Sequence, residues 1–309
     1  MLLCPKCGNK LVREERVWRC QNNHSYDIAK RGYVNLALHH KALSGDDREM
    51  VKARTRFLSH GYYAPLQAAL VELVRGYHPS VVIDAGCGEG YYTNRVKQET
   101  ETLLGFDLSK YAVDEACKAR SGAVYAVASV FHMPLCDACA DMVLSVFAPF
   151  QAEEFLRVLQ PGGIFIKVGP GPQHLMGLKE ILYDVPYENP SETLQQEGFI
   201  LEKTQTVEAT ICIRDAADIQ ALFHMTPYYW KTPRDGAARL AAPDMPGLCD
   251  DDLQAALLQL QRGQNARHPA ADHGHVRLRF AVKRRPRRPL ARFLPDRLHT
   301  LRLPFVFAM

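Results

Sequence analysis

The chain has 309 residues, 47% of them hydrophobic, which is enough for one large core and a small additional module. Its longest apolar runs are only strand-length and no charged-then-apolar leader precedes Cys4, so we expect neither a membrane span nor a signal peptide. Residues 1–41 hold eight Lys/Arg against three Asp/Glu and residues 262–309 hold twelve against two, so the middle of this +4 chain is acidic. The nine cysteines predict a cytoplasmic protein with free or metal-binding thiols, and the basic ends favour a polyanionic partner.

The N-terminal segment carries a metal-binding pattern. Its Cys and His residues follow the spacing C-x2-C-x12-C-x3-H, formed by Cys4, Cys7, Cys20 and His24. Two thiolates from one turn and a Cys and a His from the next can close a tetrahedron around Zn²⁺, and closed four-ligand sites of this kind are structural. We therefore predict a zinc module over residues 1–37, in which the metal supplies most of the folding free energy.

Residues 26–36, YDIAKRGYVNL, interleave aromatic and basic side chains, including Lys30 and Arg31. The pattern suits base stacking beside phosphate contacts. It fits equally well a strand that closes the zinc module against the main body, and both interpretations stay open. Residues 38–62 are predicted to form a linker and a first helix, which an acidic pair at Asp46 and Asp47 can cap near Arg48.

Residues 81–93, VVIDAGCGEGYYT, predict a cofactor site. The apolar start reads as a buried parallel strand, which ends in Asp84 and a glycine-rich turn before a helix. The turn follows D-x-G-x-G-x-G, whereas dinucleotide folds use G-x-G-x-x-G. This difference favours S-adenosyl-L-methionine, and the candidate cofactor-binding residues of the turn are Asp84, Gly86, Gly88, Gly90 and Tyr91.

A second buried strand at 103–107 ends in Asp107, where a carboxylate can accept hydrogen bonds from both ribose hydroxyls. Further strands at 123–127, 141–146 and 164–168 alternate with helices, which predicts an α/β fold with a parallel sheet. Ser129 follows the third strand, where the adenine ring is expected in this architecture.

The ends of the fourth and fifth strands are expected to face the transferable methyl group, because ligands bind at the carboxyl ends of parallel strands. A methyl acceptor that carries a proton needs a group that receives this proton. His174 is the candidate catalytic residue there, as base or as reader of the base, or else a surface histidine; Glu153 and Glu154 are first-turn helix acids. Residues that either sandwich an extruded base or belong to the core are Phe147, Pro149, Phe150 and Trp230.

The remaining pattern predicts a sixth strand over residues 199–213, a helix over 215–223 and a last strand over 276–282. Residues 286–309 are rich in Pro and Arg, and we expect this tail to be disordered. It is either an additional RNA-binding segment or an extension without a role.

These motifs together resemble the bacterial large-subunit ribosomal RNA guanine-N1 methyltransferases, which join an N-terminal zinc module to a class I methyltransferase domain. The resemblance covers residues 3–240 and continues more weakly to 285. Besides the zinc spacing it rests on YDIAKRGYVNL at 26–36, DAGCGEGYYT at 84–93, FAP at 147–149, LQPGG at 159–163, GPQHLMGLKEILY at 171–183 and HMTPYYW at 224–230. The tail beyond residue 285 departs from the family pattern.

The resemblance implies a Rossmann-like methyltransferase domain over residues 63–285, with a seven-stranded, mostly parallel sheet, helices on both faces and an antiparallel final hairpin. It implies methylation of guanine N1 in a hairpin loop of 23S rRNA, with S-adenosyl-L-methionine and Zn²⁺ as cofactors. Some members of the family pair into homodimers that form an RNA cleft, but this sequence shows no interface.

Two other functions stay open at this point. The FDLSK and PGG features occur also in methyltransferases that act on quinones and other metabolites, although the zinc module and the basic ends disfavour a small-molecule substrate. The second alternative is a cofactor-binding rRNA assembly factor without transfer activity. Methylation of protein-free rRNA excludes the second alternative, and activity on metabolites alone excludes rRNA methylation.

Overall fold

The computed structural model describes residues 1–37, 45–190, 196 and 198–240, and the strands over 248–253, 257–263 and 306–308. Most of the predicted linker at 38–44, the predicted strand at 276–282 and the predicted tail, apart from 306–308, lie outside the described residues.

The elements alternate between strand and helix through the middle of the chain. The strands are β1 Val12–Glu14, β2 Val17–Arg19, β3 Ser25–Asp27, β4 Val34–Asn35, β5 Val81–Ala85, β6 Thr102–Asp107, β7 Val124–Val127, β8 Ala140–Val146, β9 Leu159–Gly169, β10 Phe199–Thr206, β11 Ala209–Ile213, β12 Leu248–Leu253, β13 Leu257–Gly263 and β14 Val306–Ala308. The α-helices are α1 Arg48–Ser59, α2 Ala64–Tyr77, α3 Thr93–Val96, α4 Lys110–Ala116, α5 Ala152–Val158, α6 Met176–Leu182, α7 Ala216–His224, α8 Tyr228–Lys231 and α9 Arg234–Leu240.

One large sheet organises the protein. Its strand order is β10-β14-β13-β9-β8-β5-β6-β7-β4, and the pairings from β9 to β4 are all parallel. β13 joins β9 and β10 in antiparallel fashion. The class I methyltransferase architecture predicted from the sequence is confirmed, with the acid-ended strands β5 and β6 side by side near the centre.

The strand count differs from the prediction in two respects. The described sheet has nine strands instead of seven, because β4 covers the edge of β7 and β14 pairs beside β10. An uncovered edge strand leaves unpaired backbone groups, and β4 satisfies those of β7. The predicted strand over 199–213 is in fact two strands, and the second of them, β11, pairs with β12 in a separate two-stranded sheet.

Local capping chemistry sets where the helices begin. Asp47 accepts a hydrogen bond from the Met50 backbone N–H at the start of α1, at 2.8 Å. Ser109 does the same for the Ala112 backbone N–H in α4. Both side chains satisfy a backbone donor that has no partner inside the helix.

The zinc module packs on one edge and one face of the sheet. Leu2 forms a backbone bridge with Leu135, and the Leu3 backbone N–H donates to the Pro134 carbonyl at 2.8 Å. Its buried residues share one hydrophobic cluster with residues of β5, β6, β8 and α5. The other face of the sheet carries a separate cluster with residues of α1, α2, α6 and α7. Packing against the sheet therefore stabilises the module in addition to any metal. No helix in the described residues is both long and apolar enough to cross a membrane.

Candidate functional site

The four predicted zinc ligands lie together. Their ligand atoms are all within 4.8 Å of one another. The sulfurs of Cys4 and Cys20 lie 3.4 and 3.6 Å from Nδ1 of His24, and the sulfurs of Cys7 and Cys20 are 3.7 Å apart. Zinc ligands at about 2.0–2.3 Å in a tetrahedron are roughly 3.3–3.8 Å from one another. The arrangement therefore fits a closed, structural zinc site.

The surroundings favour the thiolate form of Cys4. Burial opposes ionisation, but hydrogen bonds from the Tyr26 hydroxyl and from the backbone amides of Lys6 and Cys7 outweigh it and lower the pKa of Cys4 to about 6. The Tyr26 oxygen lies 3.1 Å from the Cys4 sulfur. A thiolate is the form that binds zinc, so Tyr26 orients and supports a metal ligand.

The glycine-rich turn connects β5 to α3 at the carboxyl end of the sheet. Backbone N–H groups of Gly86 and Cys87 donate to the Phe106 carbonyl at 2.8 and 3.0 Å, which holds the turn against β6. Gly86 and Gly90 have φ of +88° and +79°. A Cβ on Gly86 would lie 2.3 Å from the Ala148 Cβ, so only glycine fits there.

Asp84 is buried directly beneath this turn, at 1% exposure. Its Oδ2 accepts a hydrogen bond from the Thr93 hydroxyl at 2.6 Å, whereas its Oδ1 is buried with no hydrogen-bond partner. Burial raises the pKa of Asp84 to about 7, and the nearby Asp107 and Glu89 add to the rise. A buried, unpartnered carboxylate oxygen in this turn fits a cationic or hydrogen-bond-donating group of a cofactor.

Asp107 lies at the end of β6 and is tied to the same turn. Its two oxygens accept hydrogen bonds from the backbone N–H groups of Gly88 and Ser109, at 3.0 and 2.8 Å. Burial raises the pKa of Asp107 although these bonds oppose the rise. A carboxylate oxygen can accept more than one hydrogen bond, so Asp107 keeps capacity for ribose hydroxyls.

The other two predicted cofactor residues lie near the same edge. Ser129 follows β7, whose end is fixed beside Asp107 by a bond from the Ala128 N–H to the Asp107 carbonyl, at 3.0 Å. The Ser129 hydroxyl accepts from the Phe131 N–H at 3.2 Å. Tyr91 is partly buried and packs edge-on against Tyr92, with ring centroids 4.9 Å apart.

Sequence reasoning missed a charged group beside the turn. Arg54, on α1, forms ion pairs with Asp46 and with Glu89, the latter at 3.5 Å. Glu89 lies inside the glycine motif, and burial raises the pKa of its carboxyl while Arg54 opposes the rise. The acid Glu89 can be seen inside the motif in the sequence. Its partner Arg54, 35 positions earlier in the chain, cannot be inferred from the motif.

The structure brings His174 and Phe147 together. Their rings are stacked with centroids 5.7 Å apart, and Tyr63 meets both rings edge-on. The Tyr63 hydroxyl lies 3.4 Å from Nε2 of His174. His174 is buried at 7% exposure, whereas Phe147 is 41% exposed and has φ of +52°, which is rare outside glycine. An exposed aromatic ring beside a histidine at the ends of β8 and β9 can stack on a base.

Asn189 holds the loop that carries His174. Its Nδ2 donates to the carbonyls of Gly171 and His174, at 2.8 and 3.3 Å. Its Oδ1 accepts from the Lys179 ammonium at 2.8 Å and from the Tyr228 hydroxyl at 3.3 Å. No sequence pattern indicated this residue, because its four partners lie 10 to 39 positions away in the chain.

Two of the residues considered at the site, Glu154 and Phe150, make contacts that stabilise the fold. Glu154 is buried and accepts from the Met133 N–H at 2.6 Å, while it pairs with Arg157. Phe150 stacks on Phe165 in the core, with centroids 5.3 Å apart. Trp230, in contrast, is 67% exposed.

Comparison with known protein families divides the chain in the same way. Residues 2–42 match the zinc-ribbon family model described as "RlmA, N-terminal". Residues 83–167 match the family model of a methyltransferase domain. The two matches correspond to the tetrahedral cluster and to the strands that carry the glycine turn, so the chain combines a Zn²⁺ site with an S-adenosyl-L-methionine-dependent methyltransferase domain.

Three curated proteins are similar over large parts of their length. The 23S rRNA (guanine(748)-N(1))-methyltransferase of Streptomyces fradiae is 40% identical over 188 residues, which cover 59% of this chain and 67% of that protein. The Bacillus subtilis protein with the name "Putative 23S rRNA (guanine-N(1)-)-methyltransferase YxjB" is 32% identical, covering 78% of this chain and 90% of that protein. One from Micromonospora griseorubida, named likewise, is 36% identical over 59% of this chain and 69% of its own length.

Proposed function

Since the chain belongs to the family of 23S rRNA (guanine-N1) methyltransferases, we propose that it transfers a methyl group from S-adenosyl-L-methionine to N1 of one guanine in a hairpin loop of 23S rRNA. The observation that carries the proposal is the union of a zinc ribbon and a methyltransferase sheet through one hydrophobic cluster. An additional zinc module can bind part of a large polyanionic substrate, whereas a small-molecule substrate would not need it.

We assign the cofactor to the turn between β5 and α3. When bound, S-adenosyl-L-methionine supplies an electrophilic methyl carbon on a sulfonium. Asp84 would offer its unpartnered Oδ1 to the amino-acid end of the cofactor, and Asp107 would accept hydrogen bonds from the ribose hydroxyls. Gly86, Gly88 and Gly90 let the ligand approach the backbone closely. Tyr91 and Ser129 complete the contacts.

The protein's task at the reacting base is to orient it and to remove a proton. Phe147 would stack on the guanine and help to orient its N1 for transfer. His174 accepts the N1 proton or hydrogen-bonds the base edge, while Tyr63 and Phe147 fix its ring. A reduced rate in His174→Gln with a changed pH profile supports the proton-accepting role, and an unchanged pH profile excludes it.

The target is identified by mass spectrometry of 23S rRNA fragments from cells with and without this protein. Purified protein and S-adenosyl-L-methionine should restore one methyl group on guanine N1, and guanine 748 is the first position to inspect. Asp84→Ala should abolish the transfer, whereas Asp184→Ala, at an exposed carboxylate, should not. Absence of methylation on every rRNA nucleotide would refute the proposal and favour a metabolite substrate.

We also propose a cytoplasmic location, since the ribosomal substrate is there, and a homodimer whose two copies form the RNA cleft. Sedimentation equilibrium of the full chain with and without the hairpin RNA tests the dimer. A 34.8 kDa species without RNA, together with a complex that holds only one copy of the chain, would exclude it.

A further inference from the structure

An open pocket of about 370 Å³ lies between the zinc module and the helical segment that follows β6. Four of the six side chains that line it are cations, and the lining residues are Lys30, Arg31, Asp114, Cys117, Lys118 and Arg120. None of them belongs to the zinc cluster or to the cofactor turn. Two separate parts of the chain, far apart in sequence, therefore contribute positive charge to one concave surface.

The cations of this pocket are only partly neutralised. Arg31 Nε lies 3.7 Å from an oxygen of Asp114, and Lys118 pairs with Glu115. Among the described residues, Lys30 and Arg120 have no acidic group within ion-pair distance. The pocket thus keeps a net positive charge and attracts an anion.

The two halves of the pocket are held in register. β4 begins three residues after Arg31 and pairs with β7, so that Val34 is opposite Ala126. Lys118 and Arg120 lie in the connection from α4 to the same strand β7. Strand pairing therefore fixes the spacing between the cations, and a ligand need not order two mobile segments before it binds.

We propose that this pocket binds a backbone phosphate of the RNA substrate, with cations from the zinc module and from the methyltransferase domain on the same phosphodiester. Arginine and lysine side chains are the usual phosphate ligands, and contacts of this kind fix the register of a nucleic acid without reading its sequence. The inference rests on the proposed function and adds to it a specific site of RNA contact.

The position of the pocket relative to the cofactor turn supports this assignment. The end of α4 packs against the glycine-rich turn. A Cβ on Gly90 would lie 2.8 Å from the Ala116 Cβ, and the Asn94 side chain donates a hydrogen bond to the Ala116 carbonyl. The pocket lining includes the next residue, Cys117. An α-helix is about 10 Å across with its side chains, so one RNA hairpin can reach both places.

A purely structural role makes a different prediction. Cations near the end of a helix interact favourably with its dipole, and in that case Lys118 and Arg120 stabilise the fold without any effect on RNA binding. The slope of RNA affinity against salt concentration separates the two roles, because each phosphate contact that is lost lowers it by about 1.

The test compares the full chain with Lys118→Gln/Arg120→Gln in binding a 23S rRNA hairpin at 50 to 200 mM salt. We expect about tenfold weaker binding at the lower salt and a salt slope reduced by about 1, as for one lost phosphate contact, with unchanged affinity for S-adenosyl-L-methionine. The control Arg214→Gln/Arg234→Gln removes two exposed cations elsewhere and should keep the slope. Lys30→Gln/Arg31→Gln should also reduce the salt slope. The effects of the two double variants should not be additive if the four side chains contact the same phosphate.

A salt slope and an affinity equal to those of the unchanged chain would overturn the inference. If the double variant does not fold, as judged by its thermal midpoint, the single variant Arg120→Gln, which keeps the Lys118–Glu115 pair, takes its place. Failure of the proposed function is distinguishable. In that case the unchanged chain transfers no methyl group to the RNA, whereas failure of the pocket alone leaves methylation intact and the variants indistinguishable from it in RNA binding.

Discussion

Replacing Asp84 by asparagine in the cofactor-free protein should stabilise the fold, and the gain should grow with pH. The pKa of Asp84 is raised from 3.8 to about 7 by burial. A carboxyl whose pKa is higher in the folded than in the unfolded state binds more protons when folded, so stability falls as the pH rises from about 4 to about 7. The asparagine side chain of the variant does not titrate in either state, so the variant lacks this loss.

The magnitude follows from the pKa values. Between pH 5.5 and 7 the carboxylate costs about 1.4 kcal/mol per pH unit, and above 7 the cost is constant. Asp84→Asn should therefore be about 2 kcal/mol more stabilising at pH 8 than at pH 5.5. An amide that faces the site without a partner costs about 1–3 kcal/mol, but this cost does not vary with pH.

The assay is urea unfolding of the zinc-loaded, cofactor-free protein at both pH values, with the exposed Asp27→Asn as a matched control. Calorimetry should show that Asp84→Asn loses most of its affinity for S-adenosyl-L-methionine. In the unchanged protein that affinity should rise with pH up to about 7, because a cationic ligand favours the ionised carboxylate. An equal effect of Asp84→Asn on stability at pH 5.5 and pH 8 would refute the reasoning.

Three further predictions concern other parts of the molecule. Gly90→Ala should lower the affinity for S-adenosyl-L-methionine at least about tenfold and destabilise the fold by about 1–3 kcal/mol, because the new Cβ lies 2.6–2.9 Å from three side-chain atoms. The control is Gly76→Ala, in open space on α2, which should lower neither the cofactor affinity nor the stability. Removing zinc with a chelator should speed hydrogen exchange in β7 as well as in the module, since β4 covers that strand, and unchanged exchange in β7 would contradict this coupling. Asn189→Ala should lower kcat with little change in cofactor affinity, because it releases the loop of His174 and no part of the cofactor turn; a cofactor affinity that falls along with kcat would show that the loop supports the turn.

Local patterns were sufficient for much of this protein. The zinc spacing, the acid-ended strands and the helix starts at Asp47 and Ser109 all depend on residues close together in the chain. The same holds for the glycine turn, in which Gly86 and Gly90 have the positive φ that favours glycine. Chemistry confined to a few successive residues is visible in a sequence because backbone geometry alone brings those residues together.

The arrangement of the candidate site was decided by tertiary packing. Asn189 joins four partners, Arg54 reaches Glu89 across 35 positions, and Lys30 faces Arg120 over one pocket. Residues 26–36 had two interpretations, a strand that closes the zinc module and an RNA-contacting segment. Packing confirms the first for β4, which pairs with β7, while Lys30 and Arg31 line the pocket. Sequence patterns alone predicted the fold class and the cluster of zinc ligands, both of which are confirmed, and located the glycine-rich turn. Only the folded chain decided which charges meet, because such contacts depend on how helices and strands far apart in the chain pack against one sheet.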